Sequence, residues 1–171
     1  MASDPTRRAV VAAAAALPLL IAGCKGTQAL GAPPGPAPDV ARLRAAIRSE
    51  QDLVASYQAA LQRLSGGRAA QHAVLAAVLT EHQDHLHQLR ERLIPGSPLA
   101  AGSGPLPRPR AVTLPAGSRQ VLSELMRAER AASDRLLSQV PEVPPALAQL
   151  FASISASEAT HVIALHAAGA A

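Results

Sequence analysis

Four stretches of the chain repeat apolar residues at alternating steps of three and four, the spacing of one face of an α-helix. The pattern predicts helices over residues 39–64, about 68–93, about 118–140 and 145 to about 168. Asp39, directly after Pro38, has the right side chain for the N-cap of the first helix. Pro145 suits the first turn of the fourth helix, where its missing N–H costs nothing.

The connections between these helices are short, long and short. Ser65-Gly66-Gly67 separates the first two helices, and a proline-rich break at 141–145 separates the last two. Residues 95–117 are rich in proline and glycine and have no helical periodicity. Short loops join antiparallel neighbours, whereas a long loop permits a crossover. The sequence therefore predicts an all-α fold, an antiparallel four-helix bundle over 39–171 made of two helical hairpins joined by the crossover 95–117.

The amino-acid composition excludes further fold and function classes. Of 171 residues, 49% are hydrophobic, much of it alanine, and only 1% are aromatic. So few aromatic residues argue against a β-sandwich or barrel and against a stacking platform for single-stranded nucleic acid. The net charge of +4 is small and dispersed along the chain, so we expect no nucleic-acid partner.

The N-terminus has the features of an export signal. Arg7 and Arg8 precede an apolar run of about 14 residues, too short to span a bilayer. The run ends in Ile21-Ala22-Gly23-Cys24, which resembles the lipobox of bacterial lipoproteins. The resemblance implies that residues 1–23 are removed and that Cys24, the only cysteine, is lipidated. The paired arginines leave Sec and twin-arginine export both open.

These features predict where the protein resides. Residues 24–38 would form a lipidated, Pro/Gly-rich tether of semi-rigid character. We expect the chain to be anchored by its lipid at the extracytoplasmic face of the cell membrane. With its one thiol lipidated, the chain can form no intramolecular disulfide.

Each predicted helix places a carboxylate or an imidazole in the middle of its apolar stripe. A carboxylate in a dry core costs several kcal/mol unless it is paired or bound to a metal. Residues three apart on a helix share a face, so the paired residues on the second and fourth helices point the same way. The predicted metal ligands are Glu50, His82, His85, Glu129, Glu158 and His161.

Tyr57 lies two turns from Glu50 on the same stripe. It is predicted to be a core aromatic residue whose hydroxyl group bonds to a carboxylate, with a redox role as the alternative. Three further histidines fall off the stripes and are predicted to lie on the surface: His72, His87 and His166.

The ligand pattern resembles that of the ferritin-like superfamily, in which helices one and three each supply a Glu and helices two and four each supply Glu-x-x-His. Glu50, Glu129 and Glu158-Ala159-Thr160-His161 match this pattern. The chain also resembles lipid-anchored ferritin-like proteins of high-GC, actinobacterial-type bacteria, whose function is unknown. The resemblance implies one or two iron or manganese ions and, if the protein is an enzyme, a metal-dependent oxidoreductase.

The second helix departs from the family pattern. It reads His82-x-x-His85, with a histidine where the family has a glutamate. Glu81 is one residue earlier, about 100° around the helix but four residues before His85, so it is a candidate to support the ligands, and entry of its side chain into the ligand set stays open. The additional imidazole shifts the preference towards zinc, copper or a single iron.

Two other interpretations stay open. In one, the polar residues form a metal-free salt-bridge network that fixes the register of a non-enzymatic interaction lipoprotein, with a protein partner or as a homodimer. In the other, the chain binds metal as a buffer without turnover.

Overall fold

A computed structural model describes residues 38–93 and 108–170, which contain four α-helices and no strand. The helices are α1 (Pro38–Arg63), α2 (Ala69–Glu91), α3 (Ser118–Gln139) and α4 (Pro145–Ala170), with a short 3₁₀ turn at Val140–Glu142. The predicted all-helical class with four helices is thereby confirmed. The predicted signal peptide, Cys24, nearly all of the tether and residues 94–107 of the crossover lie outside the described residues.

The helix ends follow from local chemistry. α1 begins at Pro38, so Asp39 lies in the first turn and not at the N-cap as predicted. There its carboxylate still interacts favourably with the positive end of the helix dipole. α4 begins at Pro145 as predicted, and the carbonyl oxygen of Pro144 accepts hydrogen bonds from the N–H groups of Leu147 and Ala148, both at 2.9 Å.

The turn between α1 and α2 depends on a close backbone approach. The N–H group of Gly67 donates to the carbonyl oxygen of Leu64 at 2.8 Å. A Cβ atom at Gly67 would lie 3.0 Å from that same oxygen, which is tighter than side chains normally tolerate. Glycine at this position therefore lets the chain turn within a few residues.

α1 packs most extensively against α2, and α3 against α4, while contacts of α2 with α4 and of α1 with α3 complete the bundle.

α3 and α4 approach each other closely at one point. The hydroxyl group of Ser133 donates to the carbonyl oxygen of Ser155 at 2.9 Å, and that of Ser155 donates to the carbonyl oxygen of Ser133 at 3.0 Å. Only small side chains fit such a crossing. None of the described helices combines the length and hydropathy that crossing a membrane requires.

The core positions that the spacing predicts are all buried in three helices: Leu75, Val78, His82, His85 and Leu89 of α2, Leu122, Leu125, Glu129, Ala132 and Leu136 of α3, and Phe151, Ile154, Glu158, His161 and Leu165 of α4. In α1 the spacing of three and four also predicts Val54 and Leu61 as core positions. These two are only half-buried, and the preceding residues Leu53 and Ala60 are buried instead. Neighbouring residues lie about 100° apart around a helix. The buried arc of α1 is therefore centred on the Leu53 side of the predicted stripe.

The apolar core consists of two clusters. The first, which we call the Tyr57 cluster, includes Leu53, Tyr57, Leu75, Val78, Leu125 and Leu165. The second, the Phe151 cluster, includes Leu43, Ile47, Leu86, Leu136, Phe151 and Ile154. Along each helix, the buried Glu and His positions fall between residues of the two clusters. A polar layer thus divides the core at mid-height.

Candidate metal centre

The six predicted ligands all lie in this polar layer, and each is at most 9% exposed to solvent. Four helices contribute to it, because each carries a Glu or His at the middle of its buried face. α1 contributes Glu50, α2 contributes His82 and His85, α3 contributes Glu129, and α4 contributes Glu158 and His161. That these residues bind a metal stays a prediction.

His82 lies at the centre of the layer, between two carboxylates. Its Nδ1 is 2.8 Å from Oε2 of Glu50, and its Nε2 is 2.9 Å from Oε1 of Glu129. Burial by itself would lower the pKa of His82, but the hydrogen bonds and charges of Glu129 and Glu50 outweigh it and raise the pKa to about 10. In the metal-free chain His82 is therefore a cation that ties α2 to both α1 and α3.

Glu129 is the best-satisfied carboxylate. Besides His82, it accepts a hydrogen bond from the hydroxyl group of Tyr57, and its Oε2 lies 3.3 Å from Nδ1 of His161. Burial opposes ionisation, but the contacts with His161, His82 and Tyr57 together lower the pKa of Glu129 to about 2. The prediction that Tyr57 is a core residue bonded to a carboxylate is confirmed.

Glu50 and His85 face each other across a gap. Oε1 of Glu50 lies 3.7 Å from Nδ1 of His85, which is too long for a hydrogen bond. Within the described part of the chain, neither atom has a hydrogen-bond partner. Burial by itself would raise the pKa of Glu50. The contacts of Glu50 with His82 and His85 outweigh burial, so the pKa of Glu50 is lowered. Two ligands at about 2.1 Å from one tetrahedral ion are about 3.4 Å apart, so this gap is close to the separation around a bound ion.

Glu158 is completely buried, and neither of its carboxylate oxygens has a hydrogen-bond partner among the residues described. Its pKa is raised to about 9, first by burial and then by the negative charges of Glu50 and Glu129. This carboxylate must therefore hold a proton or face a cation.

Glu81 contacts the layer from outside. Its side chain is exposed on α2, yet its Oε2 lies 2.9 Å from Nε2 of the buried His161. The hydroxyl group of Ser157 donates to the same oxygen at 3.0 Å. The hydrogen bond with His161 lowers the pKa of Glu81 despite the opposing effect of its partial burial. The sequence reasoning missed Ser157, although its position four residues before His161 places it on the same face of α4.

The donor atoms group into two sets of three. One set is Glu50, His82 and His85, and the other is His82, Glu129 and His161; within each set the donor atoms lie within 4.8 Å of one another. Imidazole nitrogen and carboxylate oxygen are the ligands of zinc, iron and manganese sites. All of these residues are buried, so the sets differ from the exposed acidic groups common on protein surfaces. The donors present therefore fit a transition-metal ion.

The remaining described histidines lie on the surface, as predicted: His72, His87 and His166. His87 pairs with Glu91 one turn away, at 3.3 Å between Nε2 and Oε1.

No family model, curated protein or solved structure was found to match this chain. The function is therefore inferred from the geometry of the donor residues.

Proposed function

We propose that this protein is a lipid-anchored, extracytoplasmic, ferritin-like bundle that binds a transition-metal ion in its polar layer. The observation that carries the proposal is Glu158, a fully buried carboxylate whose oxygens contact no donor in the described part of the chain. Burial and the negative charges of Glu50 and Glu129 raise its pKa, and the positive charge of His82 offsets only part of that effect. Glu158 belongs to neither set of three donors, but a cation in the set of Glu50 or of Glu129 would offset the negative charge that the three carboxylates share.

A proton on Glu158 would not prevent metal binding. Removing a proton from a group with a pKa of about 9 costs about 3 kcal/mol at pH 7. Structural zinc sites bind with about 10–16 kcal/mol at the same pH. Ionisation of Glu158 is thus a small part of the free energy that a metal site can supply.

The proposed topology is an antiparallel bundle of two hairpins, α1–α2 and α3–α4, joined by the crossover 95–117. The close pairing within each hairpin supports it, as do the few residues that separate α1 from α2 and α3 from α4. Such short connections join antiparallel helices. The ferritin-like assignment rests on this pairing and on the ligand positions at the middle of all four helices.

The residues that would hold metal are Glu50, His82, His85, Glu129, Glu158 and His161. This set suits iron, manganese or zinc. A bound redox-active ion would supply a centre for oxidation or reduction of a small molecule, so an enzymatic role would be that of a metal-dependent oxidoreductase. Tyr57 would hold Glu129 in place through its hydroxyl group, and Glu81 would do the same for His161.

Anchoring at the membrane is the other part of the proposal. It rests on the lipobox-like Ile21-Ala22-Gly23-Cys24 and on the proline-rich segment between Cys24 and α1. The intact mass of the protein extracted from membranes tests it: cleavage before Cys24 with added acyl chains supports the anchor, and an unmodified Cys24 overturns it.

Elemental analysis tests the metal site. The full chain, with an affinity tag free of histidine, is purified in mild detergent and compared with Glu158→Ala/His161→Ala. The matched control is His87→Ala/Glu91→Ala, which removes an exposed Glu–His pair from α2. We expect about one or two metal ions per chain in the wild type and the control and fewer in the first variant, which loses Glu158 and one donor of the His82–Glu129–His161 set. Circular dichroism verifies that each variant is helical.

The metal site is overturned if the wild type holds no ion even after reconstitution with iron, manganese, zinc and copper. That result would favour the second candidate, a metal-free interaction lipoprotein. The position of His82 supports this alternative, because it already bridges Glu50 and Glu129 as a cation. The alternative predicts that neither chelator nor added metal changes the melting temperature.

A further inference from the structure

The two ring nitrogens of His82 belong to different donor sets. Nδ1 faces Glu50, whose set is completed by His85. Nε2 faces Glu129, whose set is completed by His161. Each set thus contains one carboxylate, one further imidazole and one nitrogen of the same central ring.

We propose that His82 is a bridging ligand that joins two divalent metal ions, one in each donor set, through its two nitrogens. This inference rests on the proposed metal function and specifies its form. An imidazole ring directs its nitrogen lone pairs away from each other, so one ring can serve two ions only when donors are present on both sides. The structure has donors on both sides of His82.

The charge of the layer supports this arrangement. When both nitrogens of His82 bind metal, its N–H protons pass to solvent and the ring becomes an imidazolate anion. The carboxylates of Glu50, Glu129 and Glu158 are then ionised as well. Together the four groups balance the charge of two divalent cations, which a buried site requires. Two trivalent ions would leave an excess of positive charge in the core.

A bridge also accounts for features that a purely structural His82 leaves unexplained. The unbonded pair of Glu50 Oε1 and His85 Nδ1 becomes part of one coordination sphere. Glu158, which has no hydrogen-bond partner among the described residues and interacts with the charges of Glu50 and Glu129, would have its own charge offset by the two cations. A cationic His82 bonds to Glu50 and Glu129 but leaves Oε1 of Glu50, Nδ1 of His85 and both oxygens of Glu158 without hydrogen-bond partners among the described residues.

The bridge makes His82 the residue that determines metal specificity. Imidazole nitrogen favours zinc and copper, whereas oxygen-rich sets favour manganese and magnesium. A nitrogen bridge at the centre, with one terminal imidazole on each side, therefore selects zinc, copper or cobalt over manganese.

Copper(II) loading of the full chain in detergent tests the bridge, because an imidazolate couples the unpaired electrons of two copper ions. We expect the wild type to bind about two copper ions per chain. At liquid-helium temperature, its integrated electron paramagnetic resonance intensity should fall well below that of an equal concentration of uncoupled copper(II). His87→Gln, an exposed histidine on the same helix, should behave as the wild type.

Two variants separate the donor sets. His82→Gln should abolish the coupling, so that whatever copper remains bound gives its full intensity. His85→Gln should reduce the stoichiometry to about one copper per chain, at full intensity, because only one donor set is damaged. If His82→Gln does not fold, the intensity of the wild type decides the question alone.

Different results would contradict the bridging role of His82 and the proposed metal binding. Two uncoupled copper ions in the wild type, or only one ion, would overturn the bridge while metal binding stands. A wild type that binds no copper, zinc, iron or manganese would overturn the proposed function, and the bridge with it.

Discussion

Oε2 of the exposed Glu81 lies 2.9 Å from Nε2 of His161, a side chain only 3% exposed in the polar layer. The other nitrogen of His161, Nδ1, faces Glu129 at 3.3 Å. A carboxylate that accepts a hydrogen bond from the outer nitrogen of a ligand histidine fixes its tautomer and the orientation of its ring. Glu81 is therefore placed to prepare His161 for binding on the Glu129 side.

Replacement of Glu81 tests this arrangement. We expect Glu81→Ala to weaken zinc binding by about 10- to 100-fold, the usual cost of removing such a supporting carboxylate. Competition with a chromogenic chelator measures the affinity. Glu91→Ala is the matched control, since Glu91 also pairs with a histidine of α2 but at the surface. Equal affinities of Glu81→Ala and the wild type would refute the role of Glu81.

The metal-free protein should lose stability as the pH rises. His82 has a pKa of about 10 in the folded chain against an ordinary 6.5, and Glu158 has about 9 against 4.5. Both groups hold protons that the unfolded chain releases, so stability falls with pH above about 4.5 for Glu158 and above about 6.5 for His82. Glu129, with a pKa of about 2, acts in the opposite sense and loses its contribution as the pH falls below 4.5.

Thermal unfolding in chelator at pH 6 and pH 9 measures this dependence. We expect a lower melting temperature at pH 9, since each bound proton is worth about 1.4 kcal/mol per pH unit. Glu158→Gln cannot ionise and should reduce the difference between the two pH values, whereas the exposed Glu91→Gln should not. A difference of the same size in Glu158→Gln would show that Glu158 is not the titrating group.

Tyr57→Phe should destabilise the fold without changing its shape. The substitution removes the hydroxyl group that donates to Glu129 and keeps the ring in the Tyr57 cluster. A hydrogen bond to a buried charge contributes about 1.5–3 kcal/mol, so we expect a loss of that size in urea unfolding at pH 7 with chelator. An unchanged urea midpoint would mean that His82 and His161 satisfy Glu129 without Tyr57.

The serine pair between α3 and α4 should tolerate a small residue and reject a large one. Ser155→Ala removes one donor of the reciprocal hydrogen bonds and should cost about 1 kcal/mol. Ser155→Leu forces the helix backbones apart and should cost about 1–3 kcal/mol or more. Ser153→Leu, at an exposed position of the same helix, provides the comparison in thermal unfolding. Similar melting temperatures for the two leucine variants would argue against a close crossing.

Periodicity in the sequence was sufficient to locate the helices and most of the buried positions, because a bundle buries one face of each helix. It could not decide between Leu53 and Val54, since both lie near the edge of that face and the packing of neighbouring helices determines which is covered. The same reasoning placed His82 and Glu129 in the core.

The contacts within the polar layer could not be predicted from the sequence. That His82 joins Glu50 to Glu129 depends on how three helices approach one another, which no spacing along one helix specifies. The angular argument correctly kept Glu81 off the buried face of α2. It gave no indication that the long side chain of Glu81 reaches His161 on a different helix.

The division of the apolar core into the Tyr57 and Phe151 clusters has a consequence for cooperativity. Apolar contacts alone would let the two ends of the bundle open as separate units, because few of them cross the polar layer. The two ends are joined by the four continuous helices, and between the helices by the side chains of the polar layer. An ion bound there would strengthen the coupling between the two ends, so that hydrogen exchange at both ends would respond to one binding event.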